Sequence, residues 1–178
     1  RLGVPTMSIA AFGEEGRDHH LTAGLGQTWR GITELAIKPY PCVAFLHPAL
    51  DALLALVEEN DLKPANVARL VMHFAKSGVH CIDANPLRSH CAQYVLPVAV
   101  ASRELRILDL FEDRRLSDPA IRALAERTQV VADDGDLEKI FPDFYAARVE
   151  IHTADGKRLD RRNDIARGYP RSPLSEED

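Results

Sequence analysis

The chain has 178 residues, of which 46% are hydrophobic and 28% are charged, and its formal net charge is −5. This composition excludes disorder throughout and suits one globular domain with a hydrophobic core. The acidic balance disfavours nucleic acid as the main partner, since binding phosphates requires a concentrated basic face. The densest basic stretch, RLDRR at residues 158–162, is interrupted by Asp160. No apolar run of about 18 residues and no signal-peptide pattern occurs, so we expect a cytoplasmic protein that does not bind a membrane.

The chain has three cysteines, Cys42, Cys81 and Cys91, and no CxxC pair. An odd number without that spacing favours neither a disulfide framework nor a structural zinc site. Cys81 follows His80 and Cys91 follows His90, and both residue types are zinc ligands. Free cysteines more often pack as small hydrophobic residues. We therefore expect no metal site.

The first part of the chain reads as a connection rather than a domain. Residues 1–31 are rich in glycine and have little hydrophobic periodicity, so we expect a connecting segment. The next run, ITELAIK over residues 32–38, alternates like a strand. Its apolar set, Thr33, Leu35 and Ile37, is the predicted core face. This strand would deliver Lys38 to its end.

The stretch KPYPCVAFLHPALD, residues 38–51, is the most informative part of the sequence. Pro39 and Pro41 disfavour regular pairing, whereas Pro48 suits the first position of a helix. His47 is therefore the predicted N-cap. Because a helix N-terminus carries free N–H groups and partial positive charge, Lys38, His47 and the helix end could converge on one carboxylate or phosphate.

Three further elements read as helices because their apolar residues recur at helical spacing and start or stop signals flank them. They are a helix from Pro48 to near Asn60, a helix capped by Ser89 and running over residues 92–100 with Pro97 inside it, and a helix starting at Asp118-Pro119.

Four segments read as strands because apolar and polar residues alternate or because turn signals flank them. They are residues 66–75, residues 128–133, and two hairpin strands, 147–153 and 157–163, around Asp155-Gly156. Helices and hairpin strands follow one another irregularly. This order predicts an α+β domain, with an antiparallel sheet and helices packed on one face.

Four segments then carry a family resemblance: IKPYPCVAFLHPALDAL, AQYVLPVAVA, FPDFYAARVEIHTADGKRL and RGYPRSPLSEED. In order and spacing they resemble the MmgE/PrpD family over most of residues 32–178. The resemblance implies that residues 32–166 form the small α+β lid domain of such an enzyme. Residues 167–178 would then begin the return to a helical domain that this chain lacks, and the full protein would be a homodimer.

The family includes 2-methylcitrate dehydratase, cis-aconitate decarboxylase and iminodisuccinate epimerase, which act on small polycarboxylic acids without a redox cofactor. The resemblance implies a lyase or isomerase that needs no cofactor and acts on a di- or tricarboxylate. Dehydration of a 2-methylcitrate-like acid is the expected reaction, with decarboxylation or epimerisation as alternatives. The isolated chain would be inactive. A different class of function is a non-catalytic carboxylate-binding or dimerisation module.

Two residues of the loop match the family's lysine and histidine. His47 is the predicted catalytic residue, acting as a neutral base or, if a bound anion raises its pKa, as an acid. Lys38 would hold a substrate carboxylate, and Tyr40 could donate its hydroxyl. Many members have a tyrosine where this chain has Val98. We expect Tyr94, four residues earlier on the same helical face, to replace it in substrate binding, unless the substrate differs.

Overall fold

The computed structural model describes residues 23–29, 34–111 and 114–176. Its contacts divide the chain into two units, residues 1–35 and residues 36–178. Within the first unit, residues 23–27 form turns. The rest of the predicted connecting segment, residues 1–22 and 30–31, lies outside the described residues, as do the first two positions of the predicted strand at 32–38.

The helices of the second unit lie before, between and after the strands. Those in the described residues are α1 (His47–Glu59), α2 (Lys76–Val79), α3 (Ala92–Ser102), α4 (Ile107–Phe111), α5 (Arg114–Ser117), α6 (Pro119–Ala125) and α7 (Asp136–Ile140). Short 3-10 turns precede α1, β1 and α3, at Ala44–Leu46, Pro64–Asn66 and Arg88–His90. No helix among the described residues combines the length and the apolar character needed to cross a bilayer.

In the described part of the chain, four strands form one mixed sheet in the order β2-β1-β3-β4. They are β1 (Val67–Ala75), β2 (Thr128–Asp133), β3 (Ala147–Thr153) and β4 (Arg158–Asn163). β1–β3 and β3–β4 pair antiparallel, whereas β1–β2 pair parallel. The predicted α+β class is confirmed. The parallel pair arises because the chain from β1 to β2 passes through α2–α6, which return it to the same end of the sheet.

One face of the sheet packs on the helices. Leu70, Met72 and Phe74 of β1 and Val149 and Ile151 of β3 are fully buried there. They belong to one hydrophobic cluster with residues of α1, α3 and α6. α1 contacts β3 and β4, α3 contacts β2, and α6 contacts β1. The amphipathic period of α1 and the alternation of β1 therefore meet in one core.

The opposite face of the sheet is polar and surrounds one buried carboxylate, that of Glu150, which is 6% exposed. His73 Nε2 lies 2.9 Å from Oε1, and Arg158 Nη2 lies 2.9 Å from Oε2. Arg148 Nη2 is 3.1 Å from Oε1, and His152 Nε2 is 3.7 Å from Oε2. We call these five residues the Glu150 cluster.

The Glu150 cluster decides the charge state of its carboxyl. Burial acts to raise the pKa of Glu150, but Arg158, His73 and Arg148 together bring that pKa below its ordinary value. Glu150 therefore remains a carboxylate and compensates the cationic side chains on both sides of it. Along the register, Arg148 faces Arg162 and His152 faces Arg158, with Glu150 between these pairs.

The predicted helix starts had different outcomes. Asp118 is confirmed as the N-cap of α6, since its side chain accepts from Ala120 N and Ile121 N. The Ser89 cap is wrong. Cys91 is the N-cap of α3, and its side chain makes no cap bond. Ser89 lies within a separate 3-10 turn, where its Oγ is 3.0 Å from His90 Nδ1.

The strand predicted over residues 32–38 is wrong in its described part, residues 34–38, which have no strand conformation. Leu35 and Ile37, predicted to face the core, are 62% and 58% exposed. A strand requires a ladder of backbone bonds to a neighbour. Here Ile37 N donates to Gly168 O at 2.8 Å, and Pro39 and Pro41, which follow, have no N–H to donate.

Candidate functional site

Lys38 and His47 meet at one backbone carbonyl. Lys38 Nζ donates to Cys42 O at 3.2 Å, and His47 Nε2 lies 3.3 Å from the same oxygen. Residues 39–42 form bends, which allow both contacts. The structure thus brings together the two residues that the sequence analysis placed at an anion site, although Lys38 is exposed and His47 is buried.

The contact with Cys42 fixes the tautomer of His47. A carbonyl oxygen only accepts hydrogen bonds, so Nε2 must carry the hydrogen. In the neutral ring Nδ1 then holds the lone pair, and it is buried without a hydrogen-bond partner. The side chain has no exposed surface. Nδ1 is therefore the basic atom of His47, and in this conformation it is closed off from solvent.

His47 is not the N-cap that the sequence analysis predicted. Its backbone is helical, with φ −62° and ψ −47°, and its N–H donates to Ala44 O. The 3-10 turn runs directly into α1, whose N-cap is Leu46. The turn uses backbone groups that would otherwise be free at the helix start. The His47 N–H is therefore not free to bind an anion, and the convergence of Lys38, His47 and the helix end on one carboxylate or phosphate remains a prediction.

The charge state of His47 follows from its surroundings. Burial lowers the pKa of His47 below its ordinary value; the contact with Cys42 opposes this lowering, and the Lys38 charge adds to it. The ring is therefore neutral near pH 7. The neighbouring thiol is inert as well, because burial raises the pKa of Cys42 to about 12. Of these two buried groups, the histidine is the one that would act as a base.

We expect the buried neutral His47 to make the domain less stable in mild acid. The unfolded histidine takes up a proton near pH 6.5, whereas the folded one does so only at lower pH. The free energy of unfolding therefore falls as the pH drops through this interval, by at most about 1.4 kcal/mol per pH unit. Urea unfolding of wild type and His47→Gln between pH 8 and pH 5 measures this. The difference at pH 8 gives the packing cost, and the variant should lose less stability than wild type on acidification. Parallel curves would contradict the expectation.

Tyr40 lies behind the loop in a hydrogen-bonded network. Its hydroxyl donates to Asp51 Oδ1 at 2.7 Å and accepts from Arg167 Nη2 at 2.9 Å. Burial, helped by the bond to Asp51, raises the pKa of Tyr40 well above its ordinary value. Its ring also meets that of His47 edge-on, with 5.4 Å between centroids. The single hydroxyl hydrogen is thus donated to Asp51 in this conformation, and a role for Tyr40 in substrate binding remains a prediction.

Asp51 connects α1 to the chain after β4. Its carboxylate accepts from Arg167 N at 2.8 Å, from Arg167 Nε at 3.1 Å and from Asn163 Nδ2 at 3.3 Å. Sequence reasoning missed both Asp51 and Arg167 as parts of the site. A signal for Asp51 was its spacing, four residues after His47 and so on the same face of the helix.

Tyr94, predicted to bind substrate in place of a tyrosine at position 98, is 7% exposed on α3. Its hydroxyl donates to the backbone carbonyl of Asp109, and the Arg88 guanidinium lies 5.9 Å from its ring centroid. Val98 is fully buried in the core cluster. The hydroxyl hydrogen of Tyr94 is therefore directed to α4, and its role in substrate binding remains a prediction.

The cysteine–histidine pairs do not build a larger cluster in the part of the chain that the structure describes. Cys81 Sγ lies 3.3 Å from His80 Nε2. Within residues 23–29, 34–111 and 114–176, no three His, Cys, Asp or Glu side chains are arranged to hold a metal ion together. A functional site can be argued around one group of polar residues that contact one another or a shared carbonyl: Lys38, Tyr40, His47, Asp51 and Arg167.

Comparison with known protein families gives a match over most of the chain. Residues 40–178 match the family model described as the MmgE/PrpD C-terminal domain. The matched range includes Tyr40, His47, Asp51 and Arg167, and it begins two residues after Lys38. No individual curated protein matches the chain.

Proposed function

Because the chain belongs to the MmgE/PrpD family, we propose that it is the lid domain of a cofactor-independent enzyme that acts on a small di- or tricarboxylate. The proposed reaction is dehydration of a 2-methylcitrate-like acid, with decarboxylation or epimerisation as alternatives on the same substrate class. The helical domain of the same protein would supply the other wall of the site, within a homodimer.

The observation that carries this proposal is the shared contact of Lys38 and His47 with the carbonyl of Cys42. It places an exposed cation beside a neutral imidazole. Removing a proton next to a carboxylate needs a cation that holds the carboxylate and a base whose pKa lies near neutral. Lys38 and His47 are groups of these two types, and they meet at one carbonyl.

The two groups would have different roles. Lys38 is exposed and points its ammonium group at a carbonyl that a substrate carboxylate could replace. His47 Nδ1 can reach a substrate only after its surroundings rearrange, because the side chain is fully buried. We propose that closure of the two domains causes this rearrangement, as substrate-driven closure completes the site in other enzymes.

The same burial favours a second candidate function, a carboxylate-binding module that performs no chemistry. In this alternative Lys38 binds the anion and His47 only stabilises the loop. Both candidates predict that citrate binds, and they differ in whether a proton is exchanged.

The test uses the full-length protein with 2-methylcitrate, citrate, cis-aconitate and iminodisuccinate. Product formation and exchange of substrate hydrogen with D₂O are followed by NMR. We expect wild type to turn over at least one acid. Lys38→Met should have an about tenfold lower kcat/KM, because a hydrogen bond to a charged group contributes about 1.5 kcal/mol or more. His47→Asn should have a much lower kcat.

The exposed Lys63 supplies the control, because Lys63→Met removes a lysine outside the loop and should leave the rate unchanged. Binding of citrate without turnover or exchange for any acid would support the binding module instead. Absence of both binding and turnover would contradict both candidates.

A further inference from the structure

The chain after β4 fastens the loop that carries Lys38. Arg167 and Gly168 contact residues on both sides of Lys38, and together they hold the loop against α1. We propose that Arg167 is a positioning residue that keeps the Lys38 loop in the geometry needed to bind a substrate carboxylate. This inference rests on the function proposed above, and it adds a residue that acts through Lys38 and not on the substrate.

The two anchors flank Lys38 in the sequence. On one side, Ile37 N donates to Gly168 O at 2.8 Å. On the other side, Arg167 Nη2 donates to the Tyr40 hydroxyl at 2.9 Å. The chain is thus held one residue before Lys38 and two residues after it, while the Lys38 side chain remains exposed. Because Arg167 and Gly168 are adjacent, both anchors depend on one short piece of backbone.

Arg167 is itself fixed by a closed ring of hydrogen bonds. Its backbone N–H and its Nε–H reach the two oxygens of Asp51, at 2.8 and 3.1 Å, and the Tyr40 hydroxyl donates to Asp51 Oδ1 at 2.7 Å. The Asp51 side chain is 9% exposed, so its charge requires a nearby cation. The guanidinium lies 5.8 Å from the Tyr40 ring centroid. This geometry needs the planar fork of an arginine, which a lysine cannot reproduce.

The contribution expected from Arg167 is to substrate binding. A loop that is already ordered gives up less conformational freedom when a ligand binds, which favours association. Loss of the guanidinium should free Tyr40 and let the Lys38 backbone move. We therefore expect KM to rise by about three- to tenfold in Arg167→Met, with kcat changed by less than about twofold.

The experiment compares full-length wild type with Arg167→Met and Arg167→Lys. KM and kcat are measured on the acid that wild type turns over, and hydrogen exchange is measured at the amide of Ile37. Faster exchange of that amide and a higher KM are expected in both variants. Arg167→Lys keeps the positive charge near Asp51 and should fold, so it separates positioning from stability.

Two controls make the test specific. Arg161 forms a bidentate pair with Glu59 of the same helix, at 2.9 and 2.8 Å, and Arg161→Met should leave both KM and the Ile37 exchange unchanged. If Arg167 acts through Lys38, the double variant Lys38→Met/Arg167→Met should have nearly the KM of Lys38→Met alone.

The outcomes separate the two proposals. In an active enzyme, an unchanged KM, an unchanged Ile37 exchange or fully additive effects in the double variant would overturn the positioning role and leave the proposed function standing. If wild type neither binds nor turns over any of the four acids, the proposed function fails. Faster Ile37 exchange in the Arg167 variants would still support the anchoring of the loop in that case.

Discussion

Replacing Gly168 with alanine is expected to lower the free energy of unfolding by about 2 to 4 kcal/mol, from the left-handed backbone together with a lost hydrogen bond. Gly168 has φ +87°, and a Cβ there would lie 1.9 Å from Ile37 O and 3.1 Å from Ile37 C. The obstacle is backbone, which no side-chain rotation can move aside. Relief of the clash must therefore separate residues 168 and 37, and the bond between Ile37 N and Gly168 O is lost with it.

The hairpin supplies a matched control for this substitution. Gly156 has nearly the same backbone angle, φ +89°, but a Cβ there has nothing within 4 Å. Gly156→Ala should thus lower the free energy of unfolding only through the strain of the left-handed backbone, by about 1 to 2 kcal/mol. Urea unfolding of the three proteins measures both effects. Equal losses in the two variants would show that close contact with residue 37 does not constrain position 168.

The second large effect is expected at Glu150, where Glu150→Gln should destabilise the domain by about 2 kcal/mol at pH 7. The substitution keeps the size of the side chain but removes the charge that compensates Arg148 and Arg158. Because those arginines are 37% and 59% exposed, water can solvate them and compensate part of the lost interaction. The expected cost is therefore smaller than for a pair without solvent access.

The pH dependence of this effect has a fixed sign. The pKa of Glu150 is lowered on folding. Its contribution is therefore complete above the unfolded value of about 4.3 and disappears as the pH falls through the lower folded value. Unfolding curves of wild type and Glu150→Gln should converge in acid.

An exposed ion pair provides the comparison for Glu150. Glu59 pairs with Arg161 through a side chain that is 54% exposed, and Glu59→Gln should change stability by about 0.5 kcal/mol or less. Chemical denaturation at pH 7 and at pH 3.5 would compare both variants with wild type. A loss of stability in Glu59→Gln as large as that in Glu150→Gln would show that burial of the Glu150 carboxylate does not strengthen its interactions within the Glu150 cluster.

Those parts of the fold that depend on neighbouring residues could be predicted from the sequence. The strand at residues 128–133 and the hairpin around Asp155-Gly156 were recognised because alternation and turn chemistry are local. The cap at Asp118 was found for the same reason, since its bonds reach only two and three residues ahead. The parallel pairing of β1 with β2 could not be predicted, because it depends on how the intervening helices α2–α6 pack.

The site was predicted only where its contacts are short in sequence. Lys38 and His47 meet at Cys42, within nine residues of each other. The partner that orders the loop, Arg167, is 127 residues from Tyr40, and no period or spacing links them. The strand pattern at residues 32–38 failed for the same reason, because local alternation does not show whether a neighbouring strand exists.

The order of the sheet gives the arginine-rich segment at residues 158–162 a structural role. β4 lies at one end of the described sheet, so one side of its backbone has no neighbouring strand within that sheet. Exposed backbone of this kind can pair with another chain, and charged side chains along an edge oppose such pairing. Arg158, Asp160 and Arg162 are exposed on β4. The densest basic stretch of an acidic protein thus puts charged side chains on this edge of the sheet, where such side chains disfavour pairing with another chain.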